Sequence, residues 1–326
     1  MICKEGKYLI TGATGLIGSA LLRRLTKEKN IRLTCPVRNM SKVNKLFDDD
    51  IINRINWTES QLEKSLDQLS EHYDYIIHCA SPTASRFFVD NPVETMLFNI
   101  KTTNSLLKFA SNNNVESFVY LSSLESYGSV QDDSIPITED FQGYVNPLET
   151  RSSYNMAKRI CESMCHAYFE EYNVPVKIVR LTQTISPYVE ETDLRLFALF
   201  GRQAAKGEDI ILYTKGTSAR QYIYIDDAVN AILCVLFQGN PGEAYNAANK
   251  DTYISVSDLA EFVQKNFNPA GKVICHLRQD TGYAPTTKIK LDTSKLESLG
   301  WKPKYGLHDM FAALIENLTS RFGLLV

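Results

Sequence analysis

A tyrosine and a lysine stand four residues apart in Tyr154-Asn155-Met156-Ala157-Lys158, a spacing that places both side chains on one face of a helix. An ammonium group beside a phenol favours the phenolate, so we expect Lys158 to lower the pKa of Tyr154 from about 10 toward the operating pH. Such a tyrosine can take a proton from a hydroxyl group or give one to a ketone. The pair predicts acid–base chemistry, although the same spacing also occurs where a half-buried tyrosine lies beside a solvated lysine.

A glycine-rich segment near the start of the chain predicts how a cofactor is held. The apolar strand Tyr8-Leu9-Ile10 leads into this segment and then into an amphipathic helix that we expect to end near Leu25. Gly12 allows a tight turn, Gly15 lets the backbone approach phosphates, and Gly18 lets the helix pack on the strand. The segment predicts a dinucleotide site, with contacts from Gly12, Thr14, Gly15, Leu16, Ile17 and Gly18.

The end of the second strand indicates which dinucleotide binds. After Ile31 to Cys35, Val37 occupies the position where an acidic residue would hold a free ribose 2′-hydroxyl. Arg38, with Lys42 nearby, can instead face a 2′-phosphate. We expect NADP or NAD as the cofactor, with NADP preferred; the alternative is that Arg38 is a solvated loop residue.

Later strands deliver further polar groups to the same sheet edge. A third strand is predicted over Ile51 to Ile55. A fourth, starting at Tyr75, ends in Ala80 and Ser81, and its His78 is interpreted as a core residue. A helix from about Pro92 to Ala110 carries Asn99, and a fifth strand from Ser117 ends at Ser123 and Glu125. Ligands bind at this edge in open parallel sheets, so we expect Ala80 and Asn99 beside the cofactor.

Composition excludes several classes of protein. The 326 residues are 44% hydrophobic and carry 35 basic and 38 acidic side chains, a net charge of −3 that predicts neither nucleic-acid nor membrane-surface binding. No apolar run of about 18 residues and no signal peptide is evident, so we expect a cytoplasmic location. The seven cysteines contain no Cys-x-x-Cys pair, and we predict neither disulfides nor a metal site.

These motifs together resemble the extended short-chain dehydrogenase/reductase superfamily, the group of nucleotide-sugar epimerases, dehydratases and decarboxylases. The resemblance covers nearly the whole chain, from the glycine segment through Ser122-Ser123 and Tyr154 to Tyr224-Ile225-Asp226-Asp227 and Leu299-Gly300-Trp301-Lys302-Pro303. The approach to Tyr154, residues 144–153, is most similar to that of the UDP-glucuronate decarboxylase branch. The resemblance implies a homodimer formed by helices, and a role in glycan or capsule precursor synthesis.

The resemblance also implies roles for individual residues. Ser123 positions the 4-oxygen of the sugar with Tyr154, Lys158 binds the nicotinamide ribose, and Glu125 removes a proton or assists loss of a group, unless it is a structural cap. Substrate contacts are implied for Ser81, Gln183, Arg195, Tyr213 and Arg220. The implied fold is a doubly wound parallel α/β sheet of the Rossmann type. Residues 1–182 and 217–248 would form the dinucleotide-binding domain, and 183–216 and 249–326 a smaller region that binds the nucleotide sugar.

Three departures from the decarboxylase branch leave the reaction open. Leu124 replaces a small hydroxyl residue, Val37-Arg38 replaces the NAD-type acid, and Thr286 to Asp292 lacks an arginine, with Lys288 or Lys290 as imperfect substitutes. A nucleotide-sugar epimerase/dehydratase-type enzyme is therefore the first expectation. An NADPH-dependent ketoreductase of a nucleotide-linked or phosphorylated sugar is the alternative, and a dinucleotide-sensing protein without activity is a third.

Overall fold

The computed structural model describes residues 3–322 apart from 63, 65, 67, 68, 70 and 278–285. Its strands are, in chain order, β1 (Gly6–Thr11), β2 (Ile31–Val37), β3 (Ile55–Glu59), β4 (Tyr75–His78), β5 (Ser117–Ser123), β6 (Val176–Leu181), β7 (Gln183–Ile185), β8 (Ile210–Leu212), β9 (Ala219–Tyr224), β10 (Ala244–Ala247), β11 (Asn249–Ser255), β12 (Val273–Cys275) and β13 (Lys288–Ile289). Seven of them form one sheet in the order β10-β6-β5-β4-β1-β2-β3, in which each neighbouring pair is parallel. This order confirms the Rossmann-type fold.

Helices cover both faces of this sheet. The helices are α1 (Leu16–Leu25), α2 (Met40–Leu46), α3 (Asp49–Ile52), α4 (Ser85–Asp90), α5 (Pro92–Asn113), α6 (Ser152–Tyr172), α7 (Leu196–Ala205), α8 (Ile225–Gln238), α9 (Val256–Phe267), α10 (Ser294–Ser298) and α11 (Leu307–Phe322). Helices α1 and α8 pack together over one face, and α5 and α6 over the other. Because both faces are covered, β4 and β6 are buried along their whole lengths.

The remaining strands build a smaller region. β11, β9 and β13 form a sheet in that order, β7 also pairs with β9, and β8 pairs with β12. Helices α7, α9 and α11 pack on it around a core that includes Phe197, Phe200 and Phe311. Strand β9 lies inside the segment 217–248 that the sequence assigns to the dinucleotide-binding domain, yet it pairs within the smaller sheet; α8 and β10 return to the larger one.

Two of the late sequence motifs meet at the junction of the two regions. The buried Asp227 carboxylate on α8 accepts backbone hydrogen bonds from Lys304 at 2.9 Å and Tyr305 at 3.1 Å. The Trp301 indole donates to the backbone carbonyl of Asp227 at 3.1 Å. These contacts fix the C-terminal segment against the larger sheet, as expected for buried polar groups that need partners.

Several predicted boundaries are wrong. The third strand begins at Ile55, not Ile51, because Asp48 caps α3 by accepting a hydrogen bond from the Ile51 backbone at 3.0 Å. The second strand continues to Val37, and α5 runs on to Asn113. No helix in the described part of the chain has both the length and the apolar composition to cross a bilayer.

Candidate active site

The glycine segment forms a cradle shaped for a dinucleotide. Gly12 has a φ of +71°, and a Cβ atom there would lie 2.6 Å from the Ala80 backbone nitrogen at the end of β4. A Cβ atom on Gly18 would overlap the Gly12 carbonyl oxygen. The backbones of the first turn, of Ala80 and of α1 can therefore approach one another only because these positions are glycines.

The N-terminus of α1 opens into this cradle. Gly15 is its N-cap, is exposed, and supplies no side chain to cap the first-turn amides of Leu16 and Ile17. Uncapped amide groups at a helix N-terminus favour a phosphate, so the residues present fit a dinucleotide pyrophosphate. Thr14 is half-buried at the same turn, where the sequence places it among the cofactor contacts.

Tyr154 lies in a buried, hydrogen-bonded pocket at the carboxyl ends of β4 and β5. Its side chain hydrogen-bonds with Ser123 and Ser81, the two hydroxyl residues expected at these strand ends. Ser81 Oγ in turn donates to Asn99 Oδ1 at 2.8 Å, and Asn99 is buried on α5. The structure thus brings Ser81, Asn99, Ser123 and Tyr154 together.

Phe88 covers one face of the Tyr154 ring. The two ring centroids are 4.1 Å apart with an interplanar angle of 6°, and Phe88 is buried on the short helix α4. Ser153 Oγ donates to the Phe88 carbonyl at 3.2 Å, which links α4 to the start of α6. Phe88 therefore restricts the approach of solvent to the phenol; the sequence alone did not identify it.

Lys158 is buried one helical turn after Tyr154. Its Nζ donates to the Leu121 carbonyl at 2.8 Å and lies 5.6 Å from the centroid of the Tyr154 ring. Burial lowers the pKa of Lys158 from 10.5 to about 8. Lys158 and Tyr154 thus share the predicted face of α6.

The expected effect of Lys158 on the phenol is wrong in this structure. The pKa of Tyr154 is raised above 10, first by burial and then by the nearby negative charge of Glu125. Hydrogen bonding with Ser123 and Ser81 lowers the same pKa, but this effect is smaller than that of burial. The ammonium of Lys158 donates to the Leu121 carbonyl. Because the pKa of Tyr154 is raised, the pocket favours the protonated phenol, which can donate a hydrogen bond.

Glu125 lies beside this pocket on a single 3₁₀ turn, Leu124–Tyr127. Ser123 caps the turn by accepting a hydrogen bond from the Glu125 backbone at 3.2 Å. The Glu125 carboxylate borders a cavity of about 220 Å³ whose other polar lining includes Asn146, Arg151 and Asn155. Its neighbour Leu124 instead packs in an apolar cluster with Tyr127, Ile289 and Leu291 among others.

A buried ion pair supports the strand that carries Ser123. Arg180 on β6 pairs with Glu162 on α6 at 2.7 Å, and the Ser122 hydroxyl donates to the same carboxylate. Arg180 also donates to the Tyr127 hydroxyl at 2.9 Å, and that hydroxyl donates to Asn246 at 2.6 Å. The network connects β5, β6, α6 and the Glu125 turn, so it fixes the floor of the site.

His78 is a core residue, as the sequence predicts. Its two ring nitrogens hydrogen-bond with the hydroxyls of Thr11 at 2.7 Å and Thr103 at 3.2 Å. Burial, with a contribution from the charge of Lys158, lowers its pKa to about 3. A neutral, fully engaged imidazole has a structural function here.

The residues predicted at the adenosine end differ in their surroundings. Val37 is buried, whereas Arg38 is exposed, with its guanidinium 5.9 Å from the centroid of the Phe98 ring. Lys42 pairs with Glu190 from the smaller region at 3.4 Å. Any 2′-phosphate would therefore compete with Glu190 for Lys42 but not for Arg38, which has no carboxylate partner in the described part of the chain.

The predicted substrate contacts of the smaller region are spread over several of its elements. Gln183 is half-buried on β7, opposite Tyr222 of β9, and Arg220 is half-buried on β9. Arg195 is already engaged by Asp193, with its Nε donating at 2.9 Å. Tyr213 is half-buried just after β8. Among the described contacts of Gln183, Arg195 and Arg220, none joins these side chains to Ser123 or Tyr154.

The two lysines considered as partners for a substrate carboxylate are both engaged elsewhere. Lys288 pairs with Asp133 at 3.4 Å, and the Lys290 Nζ lies 5.7 Å from the centroid of the Tyr253 ring. Arg151, which the sequence did not single out, is the cation found among the described residues that line the cavity. Arg151 is the N-cap residue just before α6, and no local pattern in the sequence marks it.

Comparison with known proteins shows which family the chain resembles. The model of a family described as "NAD dependent epimerase/dehydratase family" matches residues 8–248 of the chain. Among curated proteins, UDP-glucuronic acid decarboxylase 5 of Arabidopsis thaliana is 28% identical over 324 residues, which cover 97% of this chain and 90% of that relative.

Solved structures share the fold. One is a variant of UDP-glucuronic acid 4-epimerase from Bacillus cereus in complex with NAD and a UDP-sugar, with a TM-score of 0.83, 21% identity, and coverage of 97% of this chain and 99% of that one. Another is dTDP-glucose 4,6-dehydratase from Streptomyces venezuelae with NAD bound, with a TM-score of 0.81, 22% identity and coverage of 98% of both chains.

Proposed function

Because the chain belongs to the NAD dependent epimerase/dehydratase family, we propose that it transfers hydride between a nicotinamide cofactor and carbon 4 of a nucleotide-linked sugar. The observation that carries the proposal is the buried Tyr154 hydroxyl, hydrogen-bonded with Ser123 and Ser81 and followed one turn later by Lys158. A sugar hydroxyl could replace one serine partner and exchange its proton with the phenol.

Each residue has a role in the proposed reaction. A bound nicotinamide supplies or accepts the hydride, and the cradle of Gly12, Gly15 and Gly18 would hold its pyrophosphate. Tyr154 exchanges the proton on the 4-oxygen while Ser123 holds that oxygen in place. Lys158 would face the nicotinamide ribose. Phe88 limits water access, which strengthens hydrogen bonds within the pocket.

Glu125 supports a second chemical step at the neighbouring carbon. Its carboxylate lies close enough to Tyr154 to raise the pKa of that phenol, and it borders the cavity beside the pocket. A base in this position could remove the proton from carbon 5 of a 4-keto sugar. We therefore place the enzyme among those that continue past the ketone, by inversion, water loss or carbon dioxide loss.

A preference for NADP is a second part of the proposal. Arg38 is exposed, lies just past β2, and has no acidic neighbour at Val37 to exclude a 2′-phosphate. An NADPH-dependent ketoreductase of a nucleotide-linked or phosphorylated sugar is the alternative that the same arginine favours, since a reductase consumes its cofactor.

One experiment tests these parts together. The purified protein is denatured and any released nicotinamide identified, and the stripped protein is then titrated with NADP and NAD. For a cycling enzyme we expect the purified protein to retain oxidised cofactor. That cofactor should be transiently reduced when the protein is mixed with UDP-glucuronic acid, UDP-glucose or dTDP-glucose. An empty site that binds NADPH and oxidises it with keto-sugars would favour the reductase. Failure to bind either dinucleotide would overturn the proposal.

We also propose a homodimer in the cytoplasm. Helix α5 packs beside α6 and exposes Val93 and Leu97, four residues apart, while α4 exposes Phe87 and Val89. A second copy could cover this apolar surface. Sedimentation at micromolar concentration should show a dimer, and a monomer would contradict it; cell fractionation tests the location.

A further inference from the structure

Helix α6 presents a second stripe of polar residues beside the one that carries Tyr154 and Lys158. Arg151, the N-cap residue in helical conformation, stands four residues before Asn155, and Arg159 stands four residues after it, so the three side chains share one face. All three contact the 3₁₀ turn that bears Glu125. We call these three residues the outer stripe of α6.

Asn155 makes the closest contacts to Glu125 itself. Its Nδ2 donates to the Glu125 backbone carbonyl at 2.7 Å and to the carboxylate oxygen Oε2 at 3.3 Å. A side-chain amide nitrogen carries two N–H groups, enough to donate to both of these Glu125 oxygens. The amide therefore fixes the Glu125 side chain relative to its own backbone.

The two arginines complete the support from either side. Arg151 approaches the other carboxylate oxygen, Oε1, at 3.7 Å, beyond normal hydrogen-bond length but within ion-pair distance. Arg159 donates to the carbonyls of Ser126 at 2.7 Å and Gly143 at 2.6 Å. Arg159 thus holds the turn, Arg151 supplies positive charge, and Asn155 is the contact that sets the direction of the carboxylate.

We propose that Asn155 is a positioning residue that aims the Glu125 carboxylate at the sugar ring, and that it acts only through Glu125. The inference rests on the proposed function. In the step concerned, the carbon 5–hydrogen bond breaks, its electrons move to the carbon 4 carbonyl held by Tyr154, and Glu125 takes the proton. This transfer depends on direction because proton transfer needs the base within hydrogen-bond reach.

Loss of the Asn155 amide should separate the two chemical steps. Hydride transfer at carbon 4 depends on Tyr154 and Ser123, and no described hydrogen bond joins the Asn155 side chain to either of them. The later step depends on Glu125, whose carboxylate would lose the hydrogen bond that Asn155 donates to Oε2. A merely structural role for Asn155 would slow both steps in proportion to the loss of folded protein.

The test compares four proteins with the sugar that the wild type converts, chosen from UDP-glucuronic acid, UDP-glucose and dTDP-glucose. They are Asn155→Ala, Glu125→Gln, the double variant, and Ser163→Ala as a matched control. Ser163 is an exposed polar residue on the same helix. Stopped-flow absorbance of reduced nicotinamide reports the hydride step, and product formation reports the later step.

We expect Asn155→Ala to leave the hydride step within about 3-fold of wild type and to slow product formation about 10- to 100-fold, so that reduced cofactor accumulates. The double variant should be no slower than Glu125→Gln, because two residues that act through one group are not additive. Ser163→Ala should match the wild type in both steps.

Other outcomes overturn the inference in distinguishable ways. Equal slowing of both steps, additive losses in the double variant, or a wild-type rate in Glu125→Gln would refute the positioning role alone, because wild-type turnover would stand. No reduction of the bound nicotinamide by wild-type protein with any of the three sugars would overturn the proposed function, and the inference with it.

Discussion

The pocket around Tyr154 differs in construction from the four cations predicted to contact ligands, which we call the rim cations. Tyr154 and Lys158 are buried, with relative exposures of 7% and 2%, and their partners come from the ends of rigid strands. The rim cations, by which we mean Arg38, Lys42, Arg195 and Arg220, are half-buried or exposed, and two of them pair with Glu190 or Asp193. The fold thus holds the predicted acid–base residues in buried positions, whereas two of the four predicted ligand contacts have carboxylate partners that would compete with a ligand.

The strongest test of this contrast removes one oxygen from the pocket. Tyr154→Phe should reduce turnover about 10³-fold, the scale of an acid–base group, while cofactor affinity stays within about 2-fold because the ring still stacks on Phe88. Steady-state kinetics and cofactor titration measure the two effects. Tyr172→Phe, at the exposed end of α6, is the matched control. Substantial turnover in Tyr154→Phe would refute its assignment.

At the rim, two arginines should differ in their contribution to substrate affinity. Arg220→Ala should weaken binding of UDP about 10- to 100-fold, because charge-assisted hydrogen bonds contribute about 1.5–3 kcal/mol and, among the described residues, no acidic partner holds this side chain. Arg195→Ala should lose only about 3-fold, since Asp193 already engages it. Calorimetric titration measures the UDP affinity of both variants. Equal losses of affinity would contradict the expected difference between the two arginines.

The cofactor cradle should respond to a single methyl group. Gly18→Ala places a Cβ atom against the Gly12 carbonyl, and we expect the free energy of unfolding to fall by about 1–3 kcal/mol together with cofactor affinity. Gly306→Ala is the control, because its nearest neighbour would lie 3.8 Å away, in ordinary contact. Denaturant unfolding checks both variants; an unchanged Gly18→Ala protein would show that the cradle is looser than described.

The buried charge of Lys158 should lower the free energy of unfolding. Burial lowers its pKa from 10.5 to about 8, so below pH 8 the folded state holds a charge that the unfolded state solvates better. Lys158→Met should therefore raise the free energy of unfolding at pH 7 by about 1–2 kcal/mol after loss of the hydrogen bond to Leu121.

The gain in stability from Lys158→Met should depend on pH. Between pH 8 and 10.5 the folded wild type loses the Lys158 proton before the unfolded chain does, so the destabilising charge disappears. The gain from Lys158→Met should shrink over this range. Urea unfolding at pH 7 and pH 10 measures it, and an equal gain at both values would contradict the assigned pKa.

The smallest effects should come from the adenosine rim. Arg38→Ala should weaken NADP binding about 10-fold and leave NAD within about 2-fold, because only NADP carries the 2′-phosphate. Lys42→Ala should change NADP affinity by only about 2-fold, since Glu190 competes for the ammonium. Parallel titrations with both dinucleotides measure these affinities. Equal losses of affinity for NAD and NADP in Arg38→Ala would contradict an NADP preference.

Much of the pocket could be predicted because its signals are local. The glycine segment, the Tyr154 and Lys158 pair and the hydroxyl at Ser123 each depend on backbone geometry over a few residues, and the structure brings these residues to one sheet edge. The third strand was misplaced because Asp48, a single capping residue, turns the apolar run at Ile51 into helix.

Other features needed contacts between distant segments. Phe88 stacks on a tyrosine 66 positions later (154 − 88), and Asn155 supports a glutamate 30 residues earlier. Nothing in the local pattern of either residue indicates its partner. The same holds for Lys42 and Arg195, whose carboxylate partners decide how far each is available to a ligand.

Periodicity, glycine positions and helical spacing act within one element, so the amino-acid pattern was enough to predict the sheet, the glycine cradle and the helical face shared by Tyr154 and Lys158. The protonation of Tyr154 and the contacts of Glu125 depend on packing between distant segments. Spacing placed Lys158 beside Tyr154, but burial, which depends on every element packed around the pocket, raises the pKa of the phenol.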